Sequence, residues 1–414
     1  MSPKVSFPYI PYHKPTEQLA ADDENEYQDL SVANLISGDT GSEEAFVKAS
    51  NWLKQCVNNH KRCASSKEAP LPRRVLDLGM PGSGNKLKLY EPENETGRYI
   101  ALSHCWGDSQ YPAKTTSLTL DRNKGDMPWN SFPKTFQDAI KFARWLKIRF
   151  LWIDSLCIIQ DSKEDWEEEA PKMIDIYQRS FLTIAATSSP SDDEGCFSTI
   201  SRESRAERLQ GQSSDGKPYD LYFRTPLRHP TLGSDVDTGE DELLEAPLLG
   251  RSWCYQEILL SPRVLHFFKD ELVWECMEDV FCECAGLTSP LNPSRPNSPD
   301  SLSIDLSELP PKIHHSLSLE GDEVELQNRW RTIVVEYSGL GLSFGKDKFP
   351  ALSGLAKQMQ LRRPDESYAA GLWTGSLLED LLWRVDNAEA EDPDLPHKKL
   401  SWRPNQWRAP TWSW

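Results

Sequence analysis

The chain has 414 residues, a hydrophobic content of 38%, fifteen tryptophans and a formal net charge of −18. That length and apolar content support a sizeable core in two or three structural units, while the acidic balance argues against binding nucleic acid or anionic lipid through bulk charge. No stretch approaches the roughly 20 apolar residues that cross a bilayer, and the opening MSPKVSFPYIPYHKP lacks a signal peptide's apolar core.

Residues 1–45 read as a polar arm that carries the acidic run ADDENEYQDL. From about Glu43 to His60 the spacing of Phe46, Trp52, Leu53 and Val57 predicts a helix. It opens a lead-in over 46–95, in which PLPRRVLDLG reads as a short strand and KLKLYEPENETGRYIALSHCWG as a hairpin. The second strand of that hairpin, YIALSHC, is apolar enough for burial on both faces. A polar stretch over 107–133 leads to the helix TFQDAIKFARWLKI, with Thr135 as its cap. A second apolar strand, FLWIDSLCII, follows. The helix DSKEDWEEEAPKMIDIYQRS then repeats Trp166, Met173, Ile176 and Tyr177 on one face and runs into a third buried strand, FLTIAATS.

Strand, helix, strand, helix, strand predicts an α/β fold: a mainly parallel sheet with flanking helices, plus N-terminal and C-terminal helical additions. The central domain spans 96–288, with a Gly/Asp/Ser-rich insertion at 190–248 before a helix and hairpin in RSWCYQEILLSPRVLHFFKDELVWEC. A Pro/Ser linker covers 289–325. Residues 326–414 read as mostly helical, through NRWRTIVVEYSGLGL, KFPALSGLAKQMQ and GLWTGSLLEDLLWRV. The last run, RAPTWSW, is apolar and strand-like, which reads as a truncated end or one half of a larger protein.

Nine cysteines, an odd number, sit in apolar or aromatic segments such as LSHCWG, IDSLCII and RSWCYQE. They suit reduced, buried thiols better than a disulfide framework, so the expected address is cytoplasmic. Cys56, His60 and Cys63 form C-x3-H-x2-C, and Cys276, Cys282 and Cys284 lie close together in sequence. Neither group has the spacing of a zinc site with clear partners, and no metal is assigned. A Cys–His hydrolase on Cys157 or Cys254 lacks a visible oriented base. The chain has no Walker loop and no G-x-G-x-x-G run.

Three stretches, YIALSHCWGD (99–108), FLWIDSLCIIQDSKEDWEEEAPKMIDIYQRSFLTIAATSS (150–189) and RSWCYQEILLSPRVL (251–265), resemble the three signature blocks of the fungal heterokaryon-incompatibility (HET) domain, in order and at plausible spacing. The downstream pieces YSGLGLSFGKDKFPALSGLA, GLWTGSLLEDLLWRV and RAPTWSW resemble segments that often trail that domain. The resemblance implies a role in vegetative incompatibility, where incompatible hyphal fusions end in cell death. It also implies a TIR-like (flavodoxin-like) fold and remote kinship with TIR domains, many of which cleave NAD+. In those, a W-C-x-x-E segment places its glutamate on a helix facing the nucleotide. Trp253, Cys254 and Glu257 have that spacing here, whereas the long insertion between Ser189 and Arg251 departs from the TIR pattern.

Breaking the ribosyl–nicotinamide bond passes through an oxocarbenium-like state, and nicotinamide leaves neutral, so no general acid is obligatory. One carboxylate that grips the ribose and offsets the developing charge suffices, and Glu257 is the candidate. Trp106 or Trp253 would hold the nicotinamide ring, and backbone N–H groups around Trp106–Gly107–Asp108 would cradle the pyrophosphate. Arg251 would pair with a phosphate or orient Glu257, and Asp154 would bind ribose. Ser103 and His104 are adjacent on a strand and face opposite ways, so one lines the site and the other packs.

Each residue has a plainer reading. Glu257 accepts a bond from a neighbouring loop or pairs with Arg251, and the tryptophans belong to the core. Gly107 relieves a turn, and Asp154 caps one. The acidic run EDWEEEA reads as a solvated first helical turn, with Glu169 in a structural salt bridge. Two readings follow: an NAD+ hydrolase, with NAD+ as substrate rather than bound cofactor, activated by self-association and a protein trigger not yet identified; or a non-catalytic signalling module of the same fold.

Overall fold

The computed structural model describes residues 10–13, 33–63, 68–79, 86–107, 113–230, 245–287, 306, 309–342, 344–383, 409–410 and 413–414. One mixed sheet of eight strands organises them. Its strands are β1 (Val75–Asp77), β2 (Lys88–Tyr90), β3 (Tyr99–Ser103), β4 (Phe150–Trp152), β5 (Leu182–Ala185), β6 (Arg263–Phe267), β7 (Leu272–Cys276) and β8 (Val280–Cys282). Their spatial order is β8-β7-β6-β5-β3-β4-β1-β2. The middle four are parallel, in register through Leu265↔Ile184, Ala101↔Thr183 and Ile100↔Leu151.

Both flanks are antiparallel. The expected mainly parallel sheet is therefore corrected to a mixed one. The loops after Phe267 and Cys276 are too short for a crossover and join only antiparallel neighbours. The expected hairpin is also corrected: β2 pairs with β1, through Leu76↔Leu89, and the chain then crosses to place β3 at the centre of the sheet.

Every residue of β3 is buried, and its alternating side chains feed two cores. Ile100 and Leu102 meet α1 (Glu43–Asn59) and α2 (Lys134–Trp145), through Phe46, Leu53, Phe136 and Ile140. Tyr99 and Ala101 meet the opposite face, covered by α4 (Met173–Arg179), which follows α3 (Lys163–Glu169), and by α5 (Ser252–Leu260). Over α5 lie α6 (Pro311–Ser318), α7 (Glu323–Ser338) and α8 (Ser353–Gln360). Trp330, Ile333, Leu355 and Met359 extend that core outward.

Other expectations change in detail. Helix α2 starts one residue early, with Pro133 at the N-cap and no side-chain cap. Thr135 is thus inside the helix, and its hydroxyl accepts from the Gly195 N–H at 3.1 Å and donates to the Ser191 carbonyl at 3.4 Å. The predicted long helix over 161–180 breaks into α3 and α4 at a 3-10 turn, Ala170–Lys172, because Pro171 has no N–H to give. The break turns α3 away from the α4 face, and Trp166 is 37% exposed, with the Lys346 ammonium 6.0 Å from its ring.

Nor is the acidic run wholly solvated. Asp165 is buried against the Arg74 guanidinium and accepts from the Ile159 N–H at 2.8 Å, while Glu169 accepts from Lys172 at 2.9 Å. Within the segment read as a linker, α6 and the start of α7 are packed helix; residues 288–305 lie outside the described residues.

The 190–248 insertion contributes Glu207–Gln212 and Pro218–Arg224, which form a separate three-stranded sheet with Ile10–His13. Most of the 1–45 arm lies outside the described residues. Near the C-terminus, Leu372–Trp373 pairs with Tyr368–Ala369, and among the described residues of the expected helix only Leu377–Asp380 is α-helical. The described residues of RAPTWSW are not strand: Trp414 donates its indole N–H to the Gly371 carbonyl at 3.1 Å. No helix among the described residues is long and apolar enough to cross a membrane, and the nine cysteines are buried and free.

Arg74 also donates from Nε to the Cys157 carbonyl at 2.6 Å, so its guanidinium ties β1 to both the turn after β4 and α3. Replacing it by Met leaves the buried Asp165 with only the half-exposed Arg73, 3.5 Å from its Oδ1, as a charged partner. Arg74→Met is expected to lose about 3 kcal/mol of stability in urea unfolding, and adding Asp165→Leu should restore most of it.

Candidate functional site

In the parallel centre the order β4-β3-β5-β6 reverses direction beside β3: the chain steps from β3 out to β4, then back past β3 to β5 and β6. Helices that connect such strands lie on opposite faces, which opens a crevice at the carboxyl ends of the strands next to the reversal. Ser103 ends β3, and Asp154 stands two residues beyond β4 as the first residue of the one-turn helix Asp154–Cys157. Helix α5 brings Glu257 to the same place.

The Ser103 hydroxyl donates to Glu257 Oε2 at 2.6 Å. Tyr177 of α4 adjoins the same carboxyl, and its hydroxyl donates to the Leu102 carbonyl at 3.1 Å. Glu257 is 5% exposed. Burial pushes its acid up to about 7, the negative Asp154 adds to this, and the Ser103 and Tyr177 hydrogen bonds together with Arg251 oppose it. Among the described residues no ion pair joins Glu257 to Arg251, which acts on the carboxyl only through its nearby charge.

A second group surrounds Asp154. The Trp106 indole donates to its Oδ2 at 3.0 Å, and the Ser155 N–H donates to its Oδ1 at 2.7 Å. His104 Nδ1 lies 3.9 Å from Oδ1. The His104 ring meets Phe136 edge-on, with centroids 5.0 Å apart, and burial holds its basicity below the usual imidazole range. Ser103 and His104 thus face opposite sides of the sheet, Ser103 toward α5 and His104 toward α2. His104 Nε2 is buried without a hydrogen-bond partner among the described residues.

Gly107 has φ +68°, and a Cβ there would meet the Ser191 Cβ at 2.4 Å, so the turn needs glycine for both its backbone and its space. Asp108 lies outside the described residues. Arg251 is half-buried at the N-cap of α5, beside Cys105 and Cys254. Trp253 is half-buried and packs against the apolar core rather than joining Glu257.

Ser103, Glu257 and Tyr177 therefore converge, and His104, Trp106 and Asp154 form an adjoining set. Tyr177 was legible only as a packing residue; its place against Glu257 depends on how α4 and α5 lie together. Cys157 and Cys254 are poor nucleophiles, since burial pushes Cys157 up to about 12 and Cys254 well above its ordinary value. Elsewhere two groups of metal-type donors assemble, Cys56, His60, Cys63 and Cys276, and His229, Glu271, Cys282 and Cys284. Sequence proximity had not joined Cys276 to the first three.

Because the folded chain holds the Glu257 proton more tightly than the unfolded chain, this group's contribution is fully present below its ordinary value of 4.5 and is lost as pH rises through about 7. Gln keeps the shape and cannot ionise. Relative to the parent, Glu257→Gln should gain about 1–3 kcal/mol of stability between pH 5 and pH 8, measured by chemical denaturation across that range. A pH-independent difference between the two proteins would contradict this.

The model of the family described as Heterokaryon incompatibility protein (HET) matches residues 99–257, from the first residue of β3 to Glu257. No curated protein and no solved structure gives a significant match. The segment that supplies three of the four central parallel strands and carries the Ser103–Glu257 contact is a heterokaryon-incompatibility domain.

Proposed function

We propose that this protein acts in fungal self/non-self recognition as a cell-death effector and that it hydrolyses NAD+ at the ribosyl–nicotinamide bond, with Glu257 as the central carboxylate. The observation that carries the proposal is a titratable glutamate hydrogen-bonded to the end of β3, beside the reversal of strand order. The order of the four parallel strands, numbered along the chain, is 2-1-3-4. Flavodoxin-like doubly wound sheets share it and bind nucleotides at that reversal, which supports the kinship with TIR domains.

In the proposed reaction the C1′–N bond of the nicotinamide riboside breaks, and its electron pair leaves with neutral nicotinamide. The cationic ribosyl centre is offset by ionised Glu257, with the Ser103 hydroxyl fixing the carboxylate. Water then adds to C1′ and gives its proton to Glu257, leaving ADP-ribose. Asp154 would hold ribose hydroxyls, Arg251 and the Gly107 turn the pyrophosphate, and Trp106 the nicotinamide ring. Self-association, a protein trigger and a cytoplasmic setting belong to the same reading.

The near-complete burial of Glu257 favours a second reading, in which the domain is a non-catalytic module and the carboxyl only joins α5 to β3. Nicotinamide release by the concentrated full-length protein, with and without forced clustering, separates the two. The enzyme reading expects release that rises with pH through about 7, as Glu257 ionises, and falls by about 10²-fold or more in Glu257→Ala. Equal release from both proteins would move the active group elsewhere. No release from either, clustered or not, would favour the module.

A further inference from the structure

We propose that Cys56, His60, Cys63 and Cys276 bind a structural zinc ion that clips α1 to the edge hairpin of the sheet. Cys56 and His60 are four residues apart at the end of α1, so they share one face of its last turn. The helix stops at Asn59, His60 takes an extended conformation at φ −92°, and the turn that follows returns Cys63 toward the helix. Cys276 closes the group from the end of β7, 216 residues beyond His60. All three cysteines are 0% exposed.

The geometry suits a tetrahedral ion. One ligating atom from each of the four residues lies within 4.8 Å of every other. A zinc–thiolate distance of about 2.3 Å gives sulfur–sulfur edges of about 3.8 Å, so slight contraction of the group completes the shell. His60 points Nδ1 at the Cys276 sulfur, 3.2 Å away, and Nε2 toward Asp279 Oδ2 at 4.0 Å. One imidazole nitrogen thus faces the thiols while the other faces a carboxylate, the outer partner that commonly orients zinc-bound histidine.

The surroundings suit the charge. Three thiolates, a neutral imidazole and Zn2+ carry a net −1. Arg263, fully buried, donates from Nε to Cys56 Sγ at 3.3 Å and from Nη2 to the Cys63 carbonyl. A guanidinium set against the sulfurs offsets that charge where water cannot. Four protein ligands leave no open position, so the ion is structural, and the thiolate-rich set selects zinc over magnesium, calcium or manganese. All four ligands lie outside residues 99–257, on either side, and the ion would close the lead-in and the last hairpin around the family domain.

The test uses the full chain, purified with reductant, without chelator and with zinc in the growth medium. Zinc is counted by elemental mass spectrometry, and its ligands are read by X-ray absorption. Cys63→Ser should lose one zinc equivalent relative to the parent. His60→Cys should keep the ion and add one sulfur at about 2.3 Å in place of one nitrogen at about 2.0–2.1 Å, a difference that reports this site whatever the His229 group binds. That ligand swap also guards against a Cys63 variant that loses zinc only by misfolding. A parent without zinc, a zinc content unchanged by Cys63→Ser, an unchanged sulfur shell in His60→Cys, or a disulfide among Cys56, Cys63 and Cys276 in the reductant-free protein would each overturn the assignment.

Discussion

Burial of the central strands on both faces governs where chemistry can occur in this molecule. A parallel strand with helices above and below has no solvated side, so its polar side chains collect at its ends. β3 follows that rule. Tyr99 through Leu102 serve the two cores, and Ser103, the last residue, is the first to meet a partner carboxyl. Asp154 stands in the equivalent place after β4. Helices α4 and α5 press on one face of these ends, and that crowding, more than any single charge, keeps Glu257 partly protonated near neutrality.

Much of this was legible in the sequence, for identifiable reasons. The three central strands are unbroken apolar runs, and the helices between them repeat at helical spacing, so the α/β alternation declared itself. Helix α1 fell within a residue of its expected span because Phe46 and Leu53 mark one buried face. The antiparallel flanks were hidden, since nothing local says whether PLPRRVLDLG pairs with the strand that follows it or with one brought back from elsewhere. Trp166 misled because Pro171 rotates its helix away from the face that Ile176 and Tyr177 share.

The candidate site was legible as residues and illegible as geometry. Ser103, Asp154 and Glu257 could be named individually, but the bond from Ser103 spans 154 positions. Trp106 was expected to clamp a ring, and the bond from its indole N–H to Asp154, 48 positions on, was not foreseen. Cys276 could not be joined to Cys56 until the sheet brought β7 beside α1. Nor is α5 held by the family domain alone. Ser252 donates to the Gly341 carbonyl at 3.0 Å, Gln256 accepts from the Gly354 N–H at 3.3 Å, and Tyr255 donates to Glu336, which Arg329 also grips. The glutamate-bearing helix is therefore positioned as much by residues after 311 as by the sheet.

The antiparallel edges carry a consequence for how copies of the chain can meet. The outermost strands of the eight-stranded sheet, Lys88–Tyr90 and Val280–Cys282, are three residues each, and each pairs antiparallel with a single inner neighbour. So little unpaired backbone gives a neighbouring molecule almost no ladder to continue. Propagation through the eight-stranded sheet is disfavoured at both ends, and an assembly that uses the face of this sheet would have to be written in side chains, across helices and loops, where a few substitutions can change who recognises whom.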